Sequence, residues 1–363
     1  MKNTFGNNVS VTLFGESHGE AVGAVIDGLA AGIEVNTDFI ASQLNLRRPV
    51  GSISTPRVEK DNFKILSGVF EGKTTGTPIC IVIPNENTHS SDYDETRFKM
   101  RPSHADFTAN VKYNGFEDYR GGGHFSGRVT AALVAVGAIA ISALREKGII
   151  IGTHISKIAD ISDRNFENIE ADIKALNDMQ FAVLDSQKGE DMQKKINEVR
   201  AEGDSVGGVL ETAVCCIPAG VGEPWFDSVE SMLSHALFSI PAVKGVEFGA
   251  GFSLAQMTGS VANDPFEFVE GKIVTKSNNN GGINGGITNG MPIIFRTAIK
   301  PTPTIAKEQE TVDIRDNSNT VLAAKGRHDP CIVHRARVVV DSVAAITLCD
   351  LLSAKFGTDW MAK

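Results

Sequence analysis

The stretch RGGGHFSGRVTAALVAVGAIAISALREKG, residues 120–148, decides the fold of this 363-residue chain. Its alanine-rich run is apolar on every side, which predicts a buried helix and not a surface one. Ser126 is placed to cap the start of the helix, and Gly148 is placed to end it. The three glycines before the cap would let backbone amides approach a ligand where the helix dipole favours an anion. A tight turn leading into a core helix is the alternative interpretation.

The composition predicts a soluble, folded protein. The apolar fraction is 42% and the formal net charge is -9, and neutralising nucleic-acid phosphates would need an excess of lysine and arginine. The apolar run at 129–144 is short for a bilayer span, and the polar residues 1–10 do not have the pattern of a signal peptide. We therefore expect a cytoplasmic protein without a membrane or nucleic-acid partner.

The cysteine pattern predicts reduced thiols in the core. The number of cysteines is odd, and most of them stand in apolar contexts. Two are adjacent, a spacing that matches neither a zinc site nor a redox pair, so the sequence predicts no metal site. The five are Cys80, Cys215, Cys216, Cys331 and Cys349.

Periodicity and turn signals predict a mixed α/β chain. Residues 160–204 are polar and charged with helical spacing, which indicates a peripheral helical excursion. Asn36 or Thr37 can cap a helix that runs to Leu46. Further helices are predicted at about 228–238 and 338–352, and strands at 9–14, 21–26, 63–70, 77–83, 149–155 and 209–217.

Two histidines stand in polar, glycine-flanked clusters at the ends of apolar elements. His18 lies between glycines on a strand-end loop, where a turn histidine without a partner is the alternative. His104 precedes Asp106 by two residues, and that carboxylate would orient its ring for acid–base chemistry. Helix capping by Ser103 or Asp106 is the competing explanation.

Basic residues recur in the same clusters and predict a local cationic pocket within an acidic protein. Two of them end a predicted helix, where they either complement the dipole or hold a phosphate or carboxylate. Residues 277–290, rich in glycine and asparagine, can present amides to a ligand or form a flexible linker. The basic residues are Arg47, Arg48, Arg128, Lys300 and Arg327. One deep site assembled from many loops, binding a small multiply charged anion, accounts for the pattern.

Nine motifs follow one another in a fixed order along nearly the whole chain. Each is weak alone, but together they resemble the chorismate synthase family. They are FGESHG (14–19), LRRP (46–49), SGVFEGKTTGTPI (67–79), RPSHAD (101–106), DYRGGG (118–123), SIPAVKGVEFG (239–249), GGINGGITNG (281–290), KPTPTI (300–305) and GRHDP (326–330).

The resemblance implies a fold, an assembly and a reaction. The fold is a single-domain layered α/β sandwich over residues 1–363, with sheets between layers of helices, assembled as a homotetramer. The reaction is the anti 1,4-elimination of phosphate from 5-enolpyruvylshikimate 3-phosphate to give chorismate, the last step of the shikimate pathway. It has no net redox change but requires reduced FMN, which lends electron density as the bond to phosphate breaks and recovers it as the proton leaves.

The resemblance also implies roles for individual residues. His18 would protonate or stabilise the leaving phosphate, His104 would balance the charge of the reduced flavin, and Asp329 would help the flavin N5 act as base. Phosphate and carboxylates would be held by Arg47, Arg48, Arg128 and Arg327. FMN would be contacted by His124, Phe125, Ser126, Pro241, Ala242, Gly285, Lys300, Pro301, Thr302, Pro303, Thr304 and Arg327.

The sequence departs from the family pattern at two places. In the segment that usually reads RGGGRSSARET, this chain has His124, Phe125, Gly127 and Val129. Ile53 stands where some members carry an arginine assigned to NADPH. We therefore expect FMN to arrive reduced from an external flavin reductase, with NADPH acting only indirectly.

Two other functions fit the same residues. One is a flavin-dependent enzyme acting on a different phosphorylated anion, and the other is a non-catalytic protein that binds FMN or a phosphate ligand. A binding protein needs no acid–base groups, so His18, His104 and Asp329 favour catalysis.

Overall fold

The secondary structure was obtained from a computed structural model, which describes residues 2–55, 59–86, 97–323 and 329–362. The helices in these ranges are α1 (Thr37–Leu46), α2 (Asp106–Tyr113), α3 (Thr130–Glu146), α4 (Ile169–Leu176), α5 (Ser186–Ala201), α6 (Val229–Leu237), α7 (Gly259–Ala262) and α8 (Val333–Phe356). The strands are β1 (Thr4–Phe5), β2 (Ser10–Gly15), β3 (Ala21–Asp27), β4 (Lys64–Ile65), β5 (Val69–Phe70), β6 (Lys73–Thr74), β7 (Ile79–Pro84), β8 (Ile150–Ile158), β9 (Ile161–Ser162), β10 (Gly208–Cys215), β11 (Val243–Phe248), β12 (Phe266–Val269), β13 (Lys272–Thr275), β14 (Ile283–Asn284), β15 (Ile287–Thr288), β16 (Ile293–Ile299), β17 (Gln309–Asp313) and β18 (Ser318–Leu322).

Helices α3 and α8 pack against each other at the centre of the fold. Gly137 of α3 permits their close approach, since a Cβ there would lie 2.3 Å from the Cβ of Ser342 on α8. Ser126 accepts a hydrogen bond from the Arg128 amide at the short 3-10 turn that runs into α3, and Gly148 follows α3 with φ +73°. The prediction of a buried helix between these two residues is confirmed, because α3 is buried on every side.

Two five-stranded antiparallel sheets enclose these helices. One sheet has the order β1-β2-β3-β7-β4 and the other the order β11-β16-β10-β8-β9. Helix α3 packs on β3 and β7, while α8 packs on β8 and β10. The mixed α/β fold is confirmed, but the expected layer order is wrong: the two long helices lie between the sheets. A helix that is apolar on all sides needs a covering layer on both sides, which an outer position does not provide.

The capping and periodicity signals in the sequence predict some ends of helices and strands correctly and others incorrectly. The Asn36 side chain caps α1 by accepting from the Phe39 amide at 2.9 Å. Helix α8 begins at Val333, five residues before its predicted start, because the polar residue Arg337 is buried and pairs with Asp341 at 3.6 Å. The strand predicted at 63–70 is divided into β4 and β5, with φ +79° at Gly68 between them.

The helix α4 covers the second sheet through a small separate cluster of Ile173, Ala213 and Cys215. The next helix, α5, begins at Ser186, and both helices fall within the predicted helical excursion at 160–204. The segment Gly127–Glu146 has the length and composition of a membrane span, but 89% of its most apolar window is buried inside the fold. It therefore serves as a core helix.

The thiols are free cysteines, as predicted. Cys215, Cys331 and Cys349 are buried and Cys80 is half-buried, whereas Cys216 is exposed. The prediction of core thiols therefore holds for all of them except Cys216.

Candidate active site

A cavity of about 980 Å³ opens where the ends of many elements meet. Its wall is formed by the end of α1, the turn before α3, the link from α6 to β11, the segment after β16 and the start of α8. The predicted site residues that line it are Arg47, Arg48, His104, His124, Phe125, Ser126, Arg128, Pro241, Ala242, Lys300, Thr302, Pro303, Thr304 and Asp329.

Four predicted site residues are not in that lining. His18 lies directly behind Gly121, which is part of the wall. Pro301 lies between lining residues without lining the cavity itself, and Gly285 is in the β14–β15 hairpin, away from it. Arg327 falls outside the described residues.

The glycine turn before α3 forms the wall between the two histidines. Gly121, Gly122 and Gly123 have φ values of 60°, 89° and 52°, a left-handed backbone that other residues rarely adopt. A Cβ on Gly121 would lie 2.2 Å from Cε1 of His18, and a Cβ on Gly122 would lie 3.1 Å from Cε1 of His104. The glycines are therefore required both by the backbone conformation and by the closeness of the imidazole rings.

The His18 ring is buried and held by its neighbour in sequence. Ser17 Oγ lies 3.1 Å from His18 Nδ1 and donates to the Arg120 carbonyl oxygen at 3.2 Å. Because the hydroxyl hydrogen is used on Arg120, Nδ1 carries a hydrogen that it donates to Ser17 Oγ. The hydrogen bond to Ser17 thus fixes the orientation of the ring.

The His104 ring is oriented by Asp106, as the sequence spacing predicts. His104 Nδ1 lies 2.7 Å from Asp106 Oδ1, and Arg101 grips the same carboxylate with Nε and Nη2, each at 2.7 Å. Burial alone would raise the pKa of Asp106, but the hydrogen bonds from His104 and Arg101 outweigh it and hold that pKa well below its ordinary value. Asp106 therefore stays ionised and fixes the orientation of the His104 ring through Nδ1.

Two arginines of the cavity share one buried carboxylate. Arg47 Nη2 donates to Asp61 Oδ2 at 3.2 Å, and Arg128 Nη1 donates to Asp61 Oδ1. Burial lowers the pKa of Arg47 to about 10, with Asp61 opposing the shift and the nearby cations Arg335 and Arg128 adding to it. The pKa of Asp61 is lowered because these two arginines outweigh its own burial. Arg47 and Asp61 are therefore both charged at neutral pH.

The remaining hydrogen-bonding groups of these arginines show which face a ligand. Arg128 donates from Nε to Asn85 at 2.9 Å and from Nη2 to the Pro84 carbonyl oxygen at 3.1 Å. The Nε groups of Arg47 and Arg48 are buried without a hydrogen-bond partner among the described residues. A buried N–H group without a partner costs about 1–3 kcal/mol, so an anion that accepts from these groups would be stabilised there.

Asp329 lies just before α8, and each of its two carboxylate oxygens accepts a hydrogen bond. Its Oδ1 accepts from the Thr55 amide at 2.9 Å, and its Oδ2 accepts from Arg335 Nη1 at 2.5 Å. Arg335 also donates from Nε to the Arg47 carbonyl oxygen at 2.9 Å. Arg335 therefore connects α8 to the end of α1, and both of these regions contribute residues to the cavity wall.

The opposite wall is formed by the segments around Ala242 and Lys300. The Lys300 amide donates to the Ala242 carbonyl oxygen at 3.0 Å, and Lys300 Nζ donates to the Ser103 carbonyl oxygen at 2.6 Å. Burial and the neighbouring Lys244 both lower the pKa of Lys300. Thr302 Oγ1 is buried in this wall, and no residue in the described ranges bonds to it.

The charge of the cavity is opposite to that of the whole chain. Eight described lysine and arginine residues line it against three carboxylates, although the chain as a whole carries a formal charge of -9. Such a cleft concentrates anions from solution. The fold and the cavity together define an α/β enzyme with a cationic cleft and two oriented histidines beside it.

Sequence reasoning missed several residues that hold this site together. Asp61, Arg335 and Lys244 line the cavity, and Arg101 fixes Asp106. Asp61 stands in a polar stretch with no local feature that separates it from a surface carboxylate. An uncompensated pair of buried arginines is the signal that would have required such a partner.

Comparison with known proteins agrees with this class. The family model described as chorismate synthase matches residues 9–353. A chorismate synthase from Dehalococcoides mccartyi is 47% identical over 354 residues, which is 97% of this chain and 96% of that protein. One from Pyrococcus abyssi is 46% identical over 347 residues, covering 96% of each chain. A crystal structure of chorismate synthase aligns with a TM-score of 0.77 and 33% identity over 98% of this chain and 94% of that one.

The chain belongs to the chorismate synthase family. Its function is that of the shikimate-pathway enzyme, a lyase that eliminates phosphate from a small substrate. The family uses reduced FMN.

Proposed function

We propose that this chain catalyses the anti 1,4-elimination of phosphate from 5-enolpyruvylshikimate 3-phosphate in the 980 Å³ cavity. The observation that carries the proposal is the pairing of buried cations with two oriented imidazoles on either side of one glycine turn. The cations Arg47, Arg48 and Arg128 bind the phosphate and carboxylates of the substrate. Arg327 completes the set by its motif position and lies outside the described residues.

The proton transfers are assigned to groups that are already held in place. His18 donates a proton from Nε2 to the departing phosphate, or stabilises its charge. His104, kept oriented by Asp106, balances the negative charge of the cofactor. Asp329, held by Thr55 and Arg335, supports removal of the substrate proton.

The same cavity suits reduced FMN. The residues proposed to hold it provide a cationic ammonium, Lys300 Nζ, and a buried hydroxyl, Thr302 Oγ1, that has no partner within the described part of the chain. Gly122 leaves open the space that a side chain would fill beside His104. When bound, reduced FMN supplies electron density as the carbon–oxygen bond breaks and recovers it as the proton leaves. The further proposed contacts are His124, Phe125, Ser126, Pro241, Ala242, Gly285, Pro301, Pro303, Thr304 and Arg327.

His124 and Phe125, which depart from the family pattern, both make packing or hydrogen-bond contacts in the cavity wall. His124 Nδ1 donates to the Gly15 carbonyl oxygen at 2.8 Å, so this ring braces the end of β2. Phe125 packs its ring edge on Tyr113 at a centroid distance of 6.1 Å. We propose that both shape the cofactor wall by packing.

We further propose a single-domain, cytoplasmic homotetramer supplied with reduced FMN by an external reductase, NADPH acting only through that enzyme. One contiguous core that runs from Val9 to Met361 supports the single domain. Several aromatic side chains are largely exposed, which supports burial between subunits. These are Trp225, Phe226, Phe252, Phe266 and Phe268. Ile53 in place of an NADPH-linked arginine supports the external reductase.

The test is an anaerobic assay with chemically reduced FMN and 5-enolpyruvylshikimate 3-phosphate, following the absorbance of chorismate. We expect chorismate and phosphate to appear in equal amounts. Folded protein that forms no chorismate would overturn the proposal. Binding of FMN without turnover would instead favour a non-catalytic binding protein. Turnover with oxidised FMN and NADPH alone would contradict the external reductase.

A further inference from the structure

We infer that Asp61 is a positioning residue for this reaction: a buried carboxylate that joins Arg47 and Arg128 into one anion-binding unit. The inference rests on the proposed function of the cavity and adds a residue that acts through the two arginines. The Asp61 side chain is 1% exposed, and its two oxygens are each used on a different arginine. It thereby joins the end of α1 to the turn that begins α3.

The backbone at Asp61 is adapted to this task. Its φ is +52°, a left-handed conformation that aspartate tolerates better than most residues. Asp61 lies outside all the described helices and strands, so no ladder or helical hydrogen bonding requires its position. The described partners of its side chain are the two guanidinium groups.

Electrostatics explains why a shared carboxylate is needed. Arg47 faces the cations Arg128 and Arg335, both of which lower its pKa, and Asp61 is the group that raises it. Asp329 and Glu59 also line the cavity, and Asp329 is engaged by Arg335. Without Asp61, two buried guanidiniums would lie together without a shared counter-ion, a costly arrangement in a site of low dielectric.

The geometry also leaves the arginines available to a ligand. Asp61 uses Nη2 of Arg47 and Nη1 of Arg128, whereas Nε of Arg47 is buried with no partner in the described ranges. The hydrogen bonds to Asp61, Asn85 and Pro84 fix the Arg128 guanidinium, and the hydrogen bond to Asp61 fixes that of Arg47 while leaving its Nε for a ligand. The substrate then meets cations that are already oriented, and less ordering is needed on binding.

The test compares Asp61→Asn with Asp163→Asn. The Asp163 side chain is also fully buried and lies 2.8 Å from His154 Nδ1, but Asp163 does not line the cavity. In Asp61→Asn we expect KM to rise about tenfold with a smaller change in kcat. Because the group that raises the pKa of Arg47 is lost, that pKa falls below about 10, and kcat/KM should decline at lower alkaline pH than in the wild type. Asp163→Asn should retain the wild-type KM and pH profile.

A second measurement does not depend on catalytic activity. Stabilisation against heat by inorganic phosphate, expressed as a fraction of the wild-type value at the same pH, should fall in Asp61→Asn as the pH rises from 7 to 9.5, and that fraction should stay constant in Asp163→Asn. If wild type turns over but Asp61→Asn keeps its KM, its alkaline profile and its phosphate response, the inference is wrong. If wild type forms no chorismate, the proposed function fails, while the phosphate arm still tests Asp61.

A double-mutant cycle covers the case in which Asp61→Asn does not fold. Arg47→Lys and Arg128→Lys keep the charges and leave Asp61 in place. If Asp61 couples the two sites, their effects on KM should depart from additivity by about threefold or more. Additive effects would overturn the inference.

Discussion

Gly121→Ala provides a direct test of how the glycine turn controls His18. The new Cβ would lie 2.2 Å from Cε1 and 2.4 Å from Nδ1 of His18, whereas ordinary contact begins at 3.4 Å. The imidazole must therefore retreat by about 1.2 Å or the turn must move. A misplacement of about 1 Å at a reacting group lowers turnover by ~100-fold. The left-handed φ of 60° adds a stability cost of about 1–2 kcal/mol for alanine.

The assay measures kcat anaerobically with reduced FMN, together with the denaturation midpoint. Gly148→Ala is the matched control, because Gly148 has φ +73° but no described atom beyond its chain neighbours lies within 4 Å of an added Cβ. It should show a similar loss of stability with wild-type kcat. If Gly121→Ala retains wild-type kcat, or loses no more activity than the control, then the Gly121 contact does not position His18.

Three further predictions follow from the site and the core. His18→Ala and His104→Ala should each lower turnover by ~100-fold or more with unchanged circular dichroism; near wild-type rates would remove them from the mechanism. The folded-state pKa of Asp106 is lowered, so its stabilising contribution is complete above its unfolded pKa of about 3.9 and is lost as the pH falls through the folded value. Urea midpoints of wild type and Asp106→Asn should therefore converge below pH 4, and parallel curves would contradict this. Burial raises the pKa of Cys349 to about 12, so at pH 8 a thiol reagent followed by peptide mass mapping should label exposed Cys216 and leave Cys349 unlabelled until denaturant is added. Labelling of native Cys349 at the rate of Cys216 would contradict its burial.

Structural features that depend on residues close together in the sequence were predictable. The unbroken apolar run of α3 required burial, and Asn36 and Ser126 mark starts that their own side chains cap. The two-residue spacing of His104 and Asp106 was enough to predict their hydrogen bond, because a short turn brings such residues together. The layer order was not predictable from periodicity, since a helix that is apolar on all sides does not specify what covers it.

The sequence by itself determined that a buried helix follows a glycine turn, that cations and histidines gather at element ends, and that the motifs are those of chorismate synthases. Only the tertiary structure decided which charges meet. Arg47, Asp61 and Arg128 are distant in sequence, and they form one unit because α1 and α3 pack together and carry their ends to the same cavity. A local sequence pattern predicts which residues are buried and where the backbone turns. The counter-ion of a buried charge, in contrast, depends on long-range packing.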